Sequence, residues 1–299
     1  MRKQLNIKKA VIFASFGALS YSVMAVLVKL VSAQTNKEMI VFFRFFISFI
    51  YLLIVLAHRS LFKKPVSLKT SNFKLHLLRA TAGIINLILF YYSLSYINLL
   101  DASLLNTTYP LFIPILAFIF LRSHTHFKVW ISLAIGFSGV VFILNPSNNI
   151  FHFAALPALG SGFAISIAFL TLRQLGKREH HYCIMFYYFL ITTVVSGILI
   201  IFRWKTPDLY ALGILAAIGL SGIVYQECIT RASAYAPARI VSPLMYLNVI
   251  FSGLFGWMIW NNVPDLYDWI GVVLICSGAI MTVIFAHKTD MYKQIKPIS

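Results

Sequence analysis

Apolar residues form ten long runs along this chain, separated by short polar connectors. The runs cover about residues 10–32, 39–57, 75–97, 102–121, 129–145, 151–173, 182–202, 209–230, 238–260 and 269–286. An α-helix of about 20 residues crosses roughly 30 Å of hydrocarbon, at a rise of about 1.5 Å per residue. Because a helix satisfies its own backbone hydrogen bonds in lipid, the pattern predicts an all-α integral membrane protein with ten transmembrane helices.

Basic residues are spread unevenly over the connectors, and this orients the predicted spans. With the N-terminus inside, 19 Lys and Arg side chains fall on inner segments, whereas the outer loops hold 3, namely Lys37, Arg203 and Lys205. Short loops rich in basic residues stay in the cytoplasm, so both termini are predicted to be cytoplasmic in a multi-pass protein of the inner (cytoplasmic) membrane. The net charge of +17 is therefore expected to face anionic lipid rather than nucleic acid.

The two halves of the sequence agree when the second is placed over the first at an offset of 139 residues. Ten identities within about 65 residues exceed the roughly four or five expected by chance. The identical pairs include Gly83 and Gly222, Trp130 and Trp269, and Gly139 and Gly278. The offset predicts a duplication, with residues 1–148 as the first five-helix repeat and 149–299 as the second. Since five is odd, the second repeat enters the membrane inverted, an arrangement typical of carriers that work by alternating access.

Several segments resemble a known family of carriers. The stretches Leu94–Ile119 and Thr230–Trp260 resemble the paired signature segments of the drug/metabolite transporter superfamily, EamA type. Phe42–Ser48, Leu77–Gly83 and Trp269–Met281 are similar to its other recurrent stretches. The resemblance implies a ten-helix, inverted-repeat carrier with a central cavity between the halves.

Two further details bear on that resemblance. Members often carry a Gly-Glu pair after the fourth and ninth helices, where this chain has Arg122-Ser123 and Asn261-Asn262. Roles of those acids therefore do not transfer to this chain. The Phe-rich run around Arg44 resembles the S-adenosylmethionine carriers of intracellular bacteria.

Charged residues inside the predicted spans are candidates for the transport pathway. A charge at the centre of a membrane helix costs about 2.5–3.5 kcal/mol, so it usually has a function. Arg44 can bind a substrate carboxylate or phosphate with two hydrogen bonds, or it can bond carbonyls at a broken helix end. Glu227 is a proton-coupling candidate, but its spacing from Arg231 also permits an ordinary i, i+4 ion pair. Arg79 is an alternative partner for Glu227 across the cavity.

Neutral residues at helical spacing extend this candidate site. Asn86 and Phe90 share the face of Arg79 on the third span, and the repeat offset carries Asn86 onto Tyr225 of the eighth. The predicted substrate-binding residues are Arg44, Arg79, Asn86, Phe90, Asn106, Tyr109, Tyr225, Gln226, Tyr246 and Asn248. Each neutral member has an alternative role as a hydrogen bond between helices. A set of tyrosines is expected to stack on a planar or cationic substrate: Tyr21, Tyr91, Tyr109, Tyr187, Tyr225 and Tyr246.

Prolines and small residues mark special points in the spans. Pro110 and Pro114 are predicted to interrupt the fourth span and Pro243 to lie early in the ninth, as a cavity wall, a hinge or a plain kink. Ser132 and Gly136 are expected to allow close helix packing, within a monomer or a homodimer.

The combined pattern predicts a secondary transporter and no enzyme. It moves a small organic metabolite, derived from an amino acid or a nucleoside and similar to S-adenosylmethionine, by alternating access coupled to protons or to an exchanged metabolite. No catalytic residue, cofactor or metal site is predicted, and Cys183, Cys228 and Cys276 are interpreted as small apolar residues. The alternatives are a lipid-handling or structural membrane protein and, less favoured, a membrane-embedded enzyme.

Overall fold

The computed structural model describes residues 7–61, 67–121, 127–144, 153, 155–176, 178–235, 241 and 244–295. The helices in this part of the chain are α1 (Ile7–Val31), α2 (Lys37–Leu61), α3 (Phe73–Leu94), α4 (Leu99–Asn106), α5 (Tyr109–Leu121), α6 (Phe127–Leu144), α7 (Ala155–Leu175), α8 (His181–Ile201), α9 (Leu209–Tyr235), α10 (Leu247–Trp260) and α11 (Leu266–Ile295). The described residues contain no strand, so the all-α prediction is confirmed for them.

Six helices are long and apolar enough to cross a membrane, and they give the chain its multi-pass character. They are α1, α2, α3, α7, α8 and α9, with mean hydropathies between 1.5 and 2.6 in their most apolar segments. Shorter apolar helices lie in α6, α10 and α11. The remaining predicted span corresponds to α4 and α5 together.

The break between α4 and α5 lies just before Pro110. Thr107 and Thr108 form the turn, and their hydroxyls donate to the carbonyls of Ser103 and Leu105, each at 2.6 Å. Pro110 is then the second residue of α5, where its missing N–H would have no intrahelical partner in any case.

The predictions for the other two prolines have different outcomes. The predicted interruption at Pro114 is wrong, because α5 continues through that residue. A proline inside a membrane helix is tolerated where neighbouring groups satisfy the freed carbonyl. Pro243 lies outside the described residues.

Four helix contacts follow the internal repeat. α1 packs along α9, and α3 packs along α7. Adding the offset of 139 residues converts α1 into α7 and α3 into α9, so it exchanges one pair for the other. α2 packs against α8 and α6 against α11, and each of these pairs is converted into itself.

The contact between α6 and α11 brings the two backbones together at glycines. A methyl group added at Gly278 would lie 2.6 Å from the Cα of Gly136. One added at Gly139 would lie 2.8 Å from the backbone nitrogen of Ile275. The same offset of 139 relates Gly139 to Gly278 and Gly136 to Ile275, so the two contacts are equivalent. The small residues predicted to allow close packing therefore serve a contact within the chain.

Candidate functional site

A cavity lies between α1, α2, α3, α7, α8 and α9. It gathers five of the predicted substrate-binding residues, namely Arg44, Arg79, Asn86, Tyr225 and Gln226. The α3 face predicted from helical spacing does reach the cavity, since Arg79, Gly83 and Asn86 all line it. The same wall carries residues that sequence reasoning did not select, including Tyr188 and Phe169.

Arg44 projects from α2 into this cavity and is almost fully buried, with 2% of its surface exposed. Its Nε donates to the sulfur of Met24 at 3.3 Å, and its guanidinium carbon lies 4.7 Å from the centre of the Phe45 ring. Its Nη1 is buried and has no hydrogen-bond partner among the described residues. Gly222 makes room for this side chain, because an added methyl group there would lie 3.2 Å from Nε. A donor of Arg44 is therefore left for a ligand.

Arg79 enters the cavity from α3 and is 4% exposed. Its Nη1 donates to the carbonyl of Ile184 at 3.3 Å, and its guanidinium carbon lies 4.3 Å from the centre of the Tyr188 ring. Stacking on an aromatic face stabilises a cation but does not neutralise it. No acidic side chain is among the described residues that line this cavity, so its two arginines lack a counter-ion there.

Aromatic rings form the part of the wall next to the arginines. The Tyr21 and Tyr225 rings lie 4.9 Å apart between centroids. Phe90, predicted to line the cavity, instead stacks behind Tyr21 at 5.7 Å and is fully buried. Phe90 supports Tyr21, because it lies behind the Tyr21 ring and not at the cavity surface.

The tyrosine on α8 differs from the prediction. Tyr187 was expected to stack on substrate, but its hydroxyl donates to the carbonyl of Leu68 at 3.1 Å, outside the cavity. The adjacent Tyr188 lines the cavity and packs over Gly83, where an added methyl group would lie 2.7 Å from its hydroxyl oxygen. Successive residues on a helix point about 100° apart, so only one of this pair can face inward.

A second, smaller space adjoins the first and shares Tyr21 and Tyr225 with it. It is lined by three more predicted residues, Asn106, Tyr109 and Asn248. The Tyr109 ring stacks on Phe169 at 4.7 Å, so the aromatic wall continues between the two spaces.

The asparagines of this region cross-link helices as well as lining the spaces. Asn106 accepts from the hydroxyl of Tyr21 at 3.0 Å and donates to the hydroxyl of Ser161 at 2.7 Å. The Asn86 amide donates to the carbonyl of Ser161 at 2.9 Å. α1, α3, α4 and α7 are thereby joined around one serine.

Asn248 forms the equivalent junction on the other side. Its Oδ1 accepts from Ser22 at 2.8 Å and from Ser252 at 3.2 Å, and its Nδ2 donates to Thr107 at 3.2 Å. The hydrogen-bonding role that the sequence left open is thus observed for Asn86, Asn106 and Asn248.

Tyr246 does not line either space. It is buried in the main hydrophobic core with 7% of its surface exposed, and its hydroxyl has no partner among the described residues. Tyr246 and Asn248 are two positions apart, which places them on nearly opposite faces of a helix. Asn248 faces the second space, so Tyr246 faces away from it.

Glu227 and Arg231 form an ion pair in which Nε donates to Oε2 at 2.9 Å. Neither residue lines the two spaces, although the preceding Gln226 does. The alternative pairing of Glu227 with Arg79 does not occur, because Arg79 is directed at Ile184 and Tyr188. The i, i+4 pair allowed by the spacing is therefore present.

The sequence matches a known protein family. The sequence profile of the EamA-like transporter family matches residues 8–145 and 152–284. The chain belongs to the EamA-like transporter family. It is therefore a membrane transporter for a metabolite and not an enzyme, as the sequence predicted.

Individual relatives agree with this assignment. The chain is 31% identical to the pseudopaline exporter CntI of Pseudomonas aeruginosa (strain UCBPP-PA14) over 276 residues, 92% of this chain and 95% of that protein. It is 27% identical to the S-adenosylmethionine uptake transporter of Rickettsia bellii (strain RML369-C) over 270 residues, 90% of this chain and 91% of that protein. A solved crystal structure covers 94% of this chain and 98% of its own with a TM-score of 0.67 at 15% identity, which shows a shared fold.

Proposed function

We propose that this chain is a secondary transporter for a small metabolite that carries a carboxylate or phosphate group beside a planar or cationic part. One observation carries the proposal: Arg44 and Arg79 are buried in the same cavity, and no acidic side chain lies among its described lining residues. Metabolites derived from amino acids or nucleosides, such as S-adenosylmethionine, have this chemistry.

The physical argument concerns the cost of buried charge. A buried cation without a partner is strongly unfavourable, whereas a buried cation that meets an anion in good geometry is tolerated. Arginine presents a planar fork that matches a carboxylate or phosphate with two parallel hydrogen bonds. The free Nη1 of Arg44 supplies at least one such donor. The substrate anion is thus the counter-ion of the site.

The tyrosines define the other end of the substrate. The rings of Tyr21, Tyr188 and Tyr225 line the same cavity as the arginines. Aromatic rings stack on planar groups and attract cations. Two relatives are transporters of S-adenosylmethionine and of pseudopaline, which supports a metabolite as the substrate of this chain. One relative is an exporter and the other an uptake transporter, so membership of the family leaves the direction open.

We further infer that the chain consists of two inverted five-helix repeats, residues 1–148 and 149–299, with both termini in the cytoplasm of a cell whose inner membrane it spans ten times. Three observations support this arrangement. The family profile matches twice, on either side of residue 148. The offset of 139 exchanges the α1–α9 and α3–α7 contacts. It also relates the two glycine contacts between α6 and α11.

Exchange of one metabolite for another is the favoured form of coupling. A proton-coupled carrier needs a group in the pathway that gains and loses a proton, and the described cavity lining includes no carboxylate or histidine. Glu227 lies outside this lining in its ion pair with Arg231. A second anionic substrate would satisfy the arginines on the return step.

A counterflow screen in proteoliposomes tests the proposal. Vesicles containing the purified protein are loaded with one unlabelled metabolite and mixed with its labelled form, for a library that includes S-adenosylmethionine, amino acids and nucleotide derivatives. We expect uptake for compounds with an anionic group and a planar or cationic part. Uptake confined to compounds without an anionic group would contradict the proposed substrate class, and no uptake of any library member would contradict transport of this class of metabolite.

A further inference from the structure

A buried cluster of three metal-ligating side chains lies outside the cavity. It consists of His76 near the start of α3, Glu179 between α7 and α8, and Cys183 in the first turn of α8. Their side chains are shielded from solvent, with exposures of 0% for His76 and 6% for Glu179, and Cys183 is 2% exposed as a residue. The cluster lies at the end of the bundle that the charge bias assigns to the cytoplasm, where thiols stay reduced.

The three potential ligand atoms converge on one point. The Nε2 of His76 lies 2.6 Å from the Oε2 of Glu179, and the Sγ of Cys183 lies 3.4 Å from the same oxygen. All three atoms lie within 4.8 Å of one another. A zinc ion bonded at about 2.0–2.3 Å in tetrahedral geometry separates its ligand atoms by roughly 3.3–3.7 Å. Only small side-chain shifts are needed to reach those separations.

Outer partners already hold the carboxylate in position. The second oxygen of Glu179 accepts from the Thr70 hydroxyl and from the Asn72 amide, the latter at 3.0 Å. The Glu179 carboxylate is therefore oriented by its neighbours, as ligands in metal sites are.

We propose that His76, Glu179 and Cys183 form a binding site for a borderline-soft divalent cation of the Zn²⁺ type, which fastens the starts of α3 and α8 together. Imidazole, thiolate and carboxylate in one set favour zinc, whereas calcium and magnesium prefer all-oxygen ligands. On binding, the thiol proton leaves to solvent, and the neutral imidazole binds the ion through Nε2 with its proton on Nδ1. Thiolate and carboxylate then balance the two charges of the ion.

The place of the site connects it to transport. Arg79 lies one helical turn beyond His76 on α3, and it donates to the carbonyl of Ile184, the residue after Cys183. An ion that bridges His76 and Cys183 therefore fixes the two helices directly beneath the cavity arginine. α3 and α8 contact each other at this end of the bundle. We infer that they separate when the cavity opens towards this side, so the bound ion should slow transport.

Binding is tested on the purified full-length protein in detergent, under reducing conditions. Zn²⁺ is titrated against a chromophoric chelator, and Co²⁺ is added as a spectroscopic substitute that absorbs in the near ultraviolet when bound to thiolate. We expect one tight site per chain and a thiolate–cobalt band in the wild type and in the matched control Cys228→Ser. Cys183→Ser should lose the band and bind zinc at least about tenfold more weakly.

Two results would overturn the binding site. One is a wild-type protein with no thiolate–cobalt band, which would leave the cluster as a hydrogen-bonded contact. The other is a band of equal strength in Cys183→Ser, which would assign the metal to other residues. Should Cys183→Ser fail to fold, zinc-edge X-ray absorption on the wild type decides, because the site requires one sulfur at about 2.3 Å.

The effect on transport is measured separately, in counterflow vesicles of known protein orientation. Zn²⁺ added to the side of the cluster should slow exchange in the wild type and in Cys228→Ser but not in Cys183→Ser. Equal inhibition of all three proteins would contradict the inference that an ion bound at Cys183 slows opening of the cavity. The binding measurement uses no transport assay, so its outcome is independent of the proposed substrate class.

Discussion

Ser22 and Ser161 lie 139 positions apart, and each hydrogen-bonds an asparagine in the opposite half of the chain. Ser22 donates to Asn248 at 2.8 Å, and Ser161 accepts from Asn106 at 2.7 Å. The asparagines themselves are 142 positions apart, so they lie about one helical turn away from the register of the serines. The two halves are thus joined by two related serine–asparagine hydrogen bonds, which are not at equivalent positions in the repeat.

The Asn248 junction should contribute measurably to stability. Asn248→Ala and Ser22→Ala, combined in a double-mutant cycle, are expected to show a coupling of about 0.6 kcal/mol, the average for hydrogen bonds between membrane helices, and at most about 1.7 kcal/mol. Unfolding in mixed micelles measures the free energies. Ser138→Ala is the control and should be additive with Asn248→Ala, since the exposed Ser138 hydroxyl donates to the carbonyl of Ile135 in its own helix. If the effects of Ser22→Ala and Asn248→Ala on the free energy of unfolding are additive as well, the hydrogen bond between these residues does not contribute to stability.

The glycine contact between α6 and α11 should not tolerate a side chain. Gly278→Ala places a methyl group 2.6 Å from the Cα of Gly136, and backbone cannot move aside cheaply. We expect a loss of roughly 1–3 kcal/mol or more, seen as a lower unfolding temperature in detergent. Gly213→Ala is the matched control, because no atom of the described residues lies within 4 Å of its added methyl group. Equal unfolding temperatures for the two variants would mean that the helices do not meet at Gly278.

Removal of a cavity arginine should weaken substrate binding. Arg44→Gln eliminates a charge-assisted hydrogen bond of about 1.5–3 kcal/mol, which corresponds to a roughly 10- to 100-fold increase in KM for exchange. Arg44→Lys should recover only part of the affinity, because an ammonium lacks the planar fork. Arg203→Gln serves as the control, since Arg203 pairs with Glu38 away from the cavity. An unchanged KM in Arg44→Gln would remove Arg44 from the binding site.

Neutralisation of Glu227 should leave transport intact. The pair with Arg231 is half exposed on the arginine side, so Glu227→Gln is expected to cost only about 0.3–0.5 kcal/mol in stability. Accumulation of substrate is compared with and without an imposed pH gradient in proteoliposomes. We expect the wild type and Glu227→Gln to behave alike. A pH-driven component that is present in the wild type and absent in Glu227→Gln would establish Glu227 as the coupling residue.

Helical periodicity and the internal repeat predicted much of this structure. The spacing of Arg79 and Asn86 placed both on the cavity face of α3, as observed. The offset of 139 pairs Gly139 with Gly278, and both glycines lie at the close contact between α6 and α11. The first feature depends on residue spacing within one helix, and the second on a constant offset between the halves. Both can be read from a single sequence.

Features that depend on tertiary packing were not predictable in this way. Tyr188 corresponds to Phe49 at the repeat offset, so the repeat gave no reason to choose it over Tyr187. The prediction that Tyr246 lines the cavity is wrong. Its position next to Met245 in the sequence does not determine which way its side chain points, because the helix begins only at Leu247. His76 lies 103 positions from Glu179, and only the i, i+4 spacing of Glu179 and Cys183 marked part of the cluster.

The most direct test of the anion site compares a transported metabolite with the methyl ester of its carboxylate as competitors for exchange. In the wild type, the ester should compete at least about tenfold more weakly than the acid, because it cannot form the charged pair with Arg44 and Arg79. In Arg44→Gln the two compounds should differ much less. An ester that competes as well as the acid in the wild type would contradict the central claim that the buried arginines bind the substrate anion.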